Sequence, residues 1–218
     1  MGYFTSAIGR KQIMAITGLA WSGFVLTHML GNMLILVSAD AYNKYSHALI
    51  SNPLLPVAEI GLVVLLLGHI FEATFLTLKN KTAREKAYAM PTQGDKAARF
   101  QSKWMAYHGT LILIFIILHL ITFKYGQHYM TTVGGVEMRD LHRLVLEVFR
   151  QPGYVAWYCF CLVAVGLHLS HGFYSSFSSL GWYHTKYSPW ISRFGYLYAA
   201  GVAGGFLSQP IYVYFLAK

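Results

Sequence analysis

Four histidines, His28, His69, His119 and His168, each lie inside a different run of apolar residues. An imidazole is costly to place in hydrocarbon, so a ring in such a run ordinarily has a partner or a task. For a single ring the simplest task is an interhelical hydrogen bond. Four rings, one to each run, point to chemistry that uses imidazoles in pairs: two metal centres, each held by rings from different helices. Whether they meet depends on the elements that carry them.

The chain has 218 residues, 56% of them hydrophobic and 11% charged, with a mean hydropathy of +0.44. Soluble domains carry about a quarter charged residues, so water is not the main solvent here. Five apolar stretches, roughly 12–37, 57–78, 104–125, 152–179 and 191–217, each exceed the ~20 residues that a helix needs to cross ~30 Å of hydrocarbon. Lipid offers the backbone no hydrogen-bonding partner, so helices are the expected form. The sequence predicts an all-α integral membrane bundle of five transmembrane helices, in one domain spanning 1–218. The first stretch follows Arg10-Lys11 and is too long for the core of a secretory signal. No small-residue cleavage site follows it, and it is expected to be retained.

Basic residues set the orientation. With the N-terminus in the cytoplasm, the inner segments hold eleven Lys and Arg and the outer ones six, which favours N-terminus inside and C-terminus outside. Seven of the eleven fall in the 79–103 connection, which fixes topology and offers a docking surface to an acidic or peripheral partner. The net charge of +9 needs no nucleic acid to explain it, and no nucleic-acid-binding motif is present. The outer segment 126–150 carries Val136, Leu141, Leu144, Val145 and Val148 at a helical rhythm. It is expected to lie on the outer surface as an amphipathic helix. The stretch 51–56, with Pro53 and Pro56, is expected to turn the chain into the second span. Cys159 and Cys161, two apart on a helix, face different ways and are expected to be small apolar filler.

Depth then orders the histidines. At about 1.5 Å per residue, His28 lies about 24 Å above the inner start of its span and His119 about 22 Å above its own. By the same measure His69 is about 14 Å up and His168 about 16 Å up. The rings therefore fall into an outer pair, His28 with His119, and an inner pair, His69 with His168. A haem takes one axial imidazole on each face, and its flat apolar body suits a helix bundle where small residues leave room. Gly23, Gly31, Gly68, Gly166 and Gly172 lie close by, although glycines also serve close helix packing, as Gly201, Gly204 and Gly205 are expected to do. Zinc suits the pattern less well, because no Cys or carboxylate completes a four-ligand set. His108 sits near the inner end of the third span, as an interfacial anchor or a neighbour of an inner haem. His171, one turn from His168, competes with it for the ligand role.

Several segments carry a family likeness. They are Gly-Arg-Lys-Gln-Ile-Met-Ala-Ile-Thr-Gly-Leu (9–19), Thr-His-Met-Leu-Gly-Asn (27–32), Gly-His-Ile-Phe-Glu-Ala (68–73) and His-Leu-Ser-His-Gly-Phe-Tyr-Ser-Ser-Phe-Ser-Ser-Leu-Gly (168–181). Together they resemble the dihaem cytochrome b membrane-anchor subunit of the succinate dehydrogenase and fumarate reductase family, of the single-subunit anchor type. The resemblance implies a multi-pass subunit of a bacterial cytoplasmic (inner) membrane. It would carry two haem b groups between an iron–sulfur subunit and a quinone, often menaquinone. Position by position, His69 and His168 would hold the proximal haem and His28 and His119 the distal one. Flavoprotein and iron–sulfur subunits would dock on the cytoplasmic side, with the dicarboxylate chemistry on the flavoprotein. Phe177 departs from the pattern, standing where the family often has Gln. Two other classes remain: the dihaem cytochrome b of a hydrogenase or formate dehydrogenase, and a non-haem membrane transporter. The motifs weigh against the first, and the lack of broken, carboxylate-bearing helices against the second.

A quinone needs groups that exchange protons with its carbonyls. Near the outer pair the candidates are Glu59, His47, Asn43 and Asn32. Glu59 lies just inside the outer end of the second span, where a carboxylate is either functional or at the level of the lipid headgroups. Glu72, near the inner end, is expected to be structural. No Asp or Glu lies at mid-depth in any span, so quinone protons are expected to exchange with the outer side.

Overall fold

The computed structural model describes residues 2–82 and 100–217, and the basic 79–103 connection falls largely outside them. The first helix, α1 (Ala7–Asn32), tightens into a 3-10 turn at Met33–Leu36. Then come α2 (Ala39–Ile50), α3 (Leu55–Thr82) and α4 (Phe100–His119), the last running into a π-helical turn at Leu120–Lys124. A hairpin of β1 (Met130–Val133) and β2 (Val136–Arg139) leads to α5 (Leu141–Phe149), α6 (Pro152–Ser179) and α7 (Ser188–Phe215). Starts are set by local chemistry. Ser6, Ser38 and Asp140 each accept a bond from a backbone N–H three residues on, at 3.1, 3.1 and 3.0 Å, satisfying donors that the first turn leaves open. Pro152 and Pro189 occupy first turns, where a missing N–H costs nothing.

Among the described residues four segments are long and apolar enough to cross a membrane: Ala7–Leu36, Leu55–Asn80, Trp104–Lys124 and Pro152–Ser179. The chain is therefore an all-α, multi-pass membrane bundle, with one small hairpin among the described residues. On α3 the exposed residues Val57, Ile60, Val64, Leu67 and Phe71 recur at helical spacing and form one apolar stripe, as a lipid-facing helix requires. α7 matches α6 in length but is not among the four. Four tyrosines, Ser208 and Gln209 make it less apolar.

Helix α1 is the hub, packing on α3, α6 and α7, while α4 packs on α6 and α6 most extensively on α7. By contrast α3 and α4 scarcely touch. Small residues permit the close approaches: a Cβ on Gly205 would lie 2.4 Å from Met29 Sδ, and one on Gly166 2.9 Å from Ala203 Cβ. A reciprocal polar contact joins α1 to α7. Ser22 Oγ donates to Tyr198 Oη at 2.8 Å, and that hydroxyl donates to the Ser22 carbonyl at 2.6 Å.

The principal buried core lies at one end of the bundle rather than along its length. Ile35, Tyr42, Leu144, Val145, Val148, Phe149, Tyr158, Leu162 and Val213 form it, where α2 and α5 meet the ends of α6 and α7. These short elements make a cap. The continuous amphipathic helix expected across 126–150 is not what forms. Gly134 and Gly135, with φ of 60° and 81°, close a two-residue hairpin turn that only such residues adopt easily. The helix that follows has nine residues, and its apolar face is buried in protein rather than laid on lipid. The turn expected at 51–56 lies where the sequence puts it, ending as α3 begins at Leu55.

One buried amide ties the cap together. Asn43, 2% exposed, donates to Asp140 Oδ1 at 2.8 Å and accepts from the His142 N–H at 2.9 Å. Burial lowers the pKa of the neighbouring His142 below 6.5, and the Asp140 carboxylate opposes this more weakly. Between 6.5 and the lower folded value, the unfolded chain binds more protons than the folded one. Stability is then lost as pH falls through that window. The cap is expected to become more open to hydrogen exchange on acidification below pH 6.5, and His142→Gln is expected to flatten that dependence. An unchanged pH profile in the variant would count against this account.

Candidate functional site

The bundle brings the four histidines together two by two. His28 of α1 and His119 of α4 lie with ring centroids 5.9 Å apart and planes at 89°. His69 of α3 and His168 of α6 lie 6.3 Å apart, with planes at 66°. Each ring is half-buried. The helices come to the pairs differently, since α1 and α4 supply the pair nearer the cap and α3 and α6 the pair further from it.

Around the cap-side pair the walls are aromatic. Phe24 stacks on His28 at 5.3 Å, and Phe206 approaches it at 5.9 Å. Phe115, Phe123 and Tyr158 surround His119 at 5.9, 5.3 and 6.2 Å. The π-helical turn that starts right after His119 brings Phe123 to the ring, and such turns recur at functional sites. Tyr158 Oη lies 3.3 Å from His119 Nδ1. Asn32, one turn from His28, donates to its carbonyl at 2.8 Å and accepts from the buried Tyr42 hydroxyl at 2.7 Å.

In the second pair His69 Nδ1 lies 3.2 Å from the Met14 carbonyl and 3.2 Å from Thr17 Oγ1. A carbonyl only accepts, so Nδ1 carries the proton and Nε2 keeps its lone pair, the state of a ligating imidazole with its other nitrogen anchored. His168 Nδ1 is buried without a hydrogen-bond partner, as is Nδ1 of His108. A glycine lies beside each ring. A Cβ at Gly18 would lie 3.2 Å from His69 Cε1, and one at Gly109 would lie 3.7 Å from His168 Cε1. Beside this pair an open cavity of about 330 Å³ is lined by Lys11, Met14, His171, Tyr174 and three serines.

These features bear on whether a haem fits. Two imidazoles sharing one metal, each nitrogen about 2 Å from it and about 1 Å from its own ring centre, put their centroids about 6 Å apart. Both separations match. Among the described residues no group of three or more His, Cys, Asp or Glu side chains is placed to hold an ion. A metal bound by protein side chains alone needs such a group, whereas a haem brings its own equatorial nitrogens and asks the protein for two axial ligands. Two imidazoles from different helices at each pair are the donor set that a haem would need there.

The other sequence candidates are scattered. Glu59 forms an ion pair with Lys124 at the rim between α3 and α4, both side chains more than a third exposed. Asn43 is committed to Asp140 and His142, Asn32 to His28 and Tyr42, and His47 Nε2 lies 3.4 Å from Ser51 Oγ. None of the four is bonded to another. Glu72 pairs with Arg10. Residues that pattern reading did not nominate include Thr17, Gly18, Gly109, Lys124 and Tyr158. Thr17 and Gly18 fall in the 9–19 segment of the family likeness, which gives them no role; Gly109, Lys124 and Tyr158 carry no signal for the site until the helices are packed.

No family model, curated protein or solved structure matches the chain.

Proposed function

We propose that this chain is the membrane-anchor and electron-transfer subunit of a succinate:quinone oxidoreductase or quinol:fumarate reductase, holding two haem b groups. The observation that carries the reading is the pair of His–His separations, each the span of one doubly ligated metal. His28 and His119 would hold one haem and His69 and His168 the other; bound there, the two would supply one-electron transfer through the bilayer. The chain's own task is to orient the imidazoles, through Met14 and Thr17 at His69 and Tyr158 at His119, and to keep water out with Phe24, Phe115, Phe123 and Phe206.

In this reading α7 is the fifth crossing. Its 28 residues span about 42 Å as a helix, and α6 shields one side of it. The excess of basic residues that the sequence carries before α1 and between α3 and α4 favours a cytoplasmic position for the uncapped end, with the cap outside; a bacterial inner membrane is what the family resemblance implies. Flavoprotein and iron–sulfur subunits would then meet the inner pair, and a quinone, menaquinone among the candidates, would meet the outer one. Glu59 is the best placed of the quinone candidates. It sits at the rim where α3 and α4 barely touch, and with Lys124 it offers an acceptor and a donor at the edge of the lipid. Asn32 and Asn43 have their amides engaged within the protein.

The test is a reduced-minus-oxidised spectrum, with a haemochrome assay, on the purified chain produced with ample haem. The expected result is b-type bands and two haems per chain. A colourless, folded protein would end this reading.

A further inference from the structure

A pair of charges in an apolar seam is a poor way to gain stability, because desolvation takes back most of the attraction. The best attested reason to keep one is register. Such a pair lies between α1 and α3. Arg10 Nη1 donates to Glu72 Oε1 at 3.3 Å and Oε2 at 3.1 Å, and the two side chains are 16% and 9% exposed. The guanidinium also sits 3.8 Å over the Phe75 ring, an arrangement suited to its flat, weakly hydrated face.

Arg10 is one helical turn from Met14, and Glu72 is one turn from His69. The ion pair and the bonds from His69 Nδ1 to Met14 and Thr17 are consecutive rungs across one antiparallel seam. Along that seam Gly18 lets α1 approach His69, while Gly68 lets α3 approach Thr17, whose Cγ2 would lie 3.8 Å from a Cβ there. A slide of one residue moves α3 by about 1.5 Å relative to α1. Starting from 3.2 Å, that takes His69 Nδ1 out of hydrogen-bonding reach of the Met14 carbonyl. A charge-assisted contact in which Arg10 Nη1 is shared by both Glu72 oxygens is directional, and resists such a slide in a way that non-directional apolar contacts do not.

We propose that Arg10 and Glu72 are positioning residues for His69, fixing the register of α3 on α1 so that the imidazole keeps one tautomer and one orientation. The inference rests on the reading of His69 as a haem ligand. It adds a determinant of the inner site that touches neither the ring nor the metal.

The experiment compares the wild-type protein with Arg10→Met/Glu72→Leu, a double change that leaves no unpaired charge, and with Glu72→Gln, which keeps the side chain's size. Readouts are the electron paramagnetic resonance of each oxidised haem, carbon monoxide binding by the reduced protein, and haem transfer to excess apomyoglobin. In the double variant the inner haem is expected to change its resonance, bind carbon monoxide and lose about 10–100-fold in affinity, the effect of removing a ligand's support. Glu72→Gln is expected to move the same readouts less. The outer haem should stay unchanged in both and serves as the check on folding. If the double variant fails to fold, Glu72→Gln decides by the same readouts. Two haems in every variant with an unchanged inner resonance would overturn the positioning role and leave the haem assignment standing. A wild-type protein without haem would remove both.

Discussion

If the proposed function holds, replacing any one of His28, His69, His119 or His168 by alanine is expected to leave one haem per chain where the wild type would hold two. Each pair draws its rings from two helices, so one truncation removes half of an axial set whose other half cannot move across the bundle to replace it. The stronger expectation concerns equivalence. His28→Ala and His119→Ala should delete the same haem, and the double variant should lose no more than either single one, since residues that act as a unit are not additive. His69→Ala and His168→Ala should delete the other haem. Haemochrome assays give the count, and resonance signals identify which site is lost. Members of one pair deleting different haems, or four variants that all keep two, would sink the pairing. Nearby His171 and His108 make the inner pair the more demanding case. A rescued, altered haem in His168→Ala would mark one of them as a replacement ligand.

Tyr158 is expected to give the largest effect of any residue outside the four. It is 5% exposed, and its ring packs on Phe115, Phe149 and Phe123 at 5.0, 4.9 and 5.9 Å. It joins the cap to the bundle as well as facing His119. Tyr158→Ala removes a buried aromatic ring, a change that costs about 3–5 kcal/mol, and should loosen the cap and empty the outer site together. Tyr158→Phe separates the roles. It keeps the ring but takes away the oxygen 3.3 Å from His119 Nδ1, stranding a buried donor at a cost of about 1–3 kcal/mol. Ligand basicity falls when the second nitrogen loses its acceptor, so the outer haem's reduction potential should rise while the inner one stays put. A redox titration showing both potentials unmoved would mean that the hydroxyl plays no part in tuning the ligand. Thermal unfolding of Tyr158→Ala within error of wild type would remove its structural role.

Much of the bundle is legible from local pattern. Apolar runs longer than a bilayer's thickness mark α1, α3, α4 and α6, because lipid permits a backbone only forms that satisfy themselves. The cap is not legible in the same way. The rhythm of residues 136–148 looks like one amphipathic helix, yet Gly134-Gly135 turns the chain and only α5 is helical. α2 shows little apolar pattern because its buried face is Tyr42, Asn43 and Ser46, and Asn43 is held by hydrogen bonds to Asp140 and His142, about a hundred residues away in the chain. Periodicity records which face is apolar, but it cannot record a buried amide satisfied by a distant loop.

The site divides along the same line. From the sequence by itself came four imidazoles in four spans and their ordering by depth, since rise per residue is a property of any helix. The two contacts that the bundle makes join the same residues that depth ranks together. Depth has no component in the plane of the membrane, however. Which faces meet was decided by the tertiary structure: α1 at the hub, α3 and α4 held apart, glycines placed beside the inner rings, and a π-helical turn after His119. The supports of the rings, Met14 and Thr17 at His69 and Tyr158 at His119, come from other helices than the rings they hold. Such partners exist only once packing has brought distant segments of the chain to within a hydrogen bond's length.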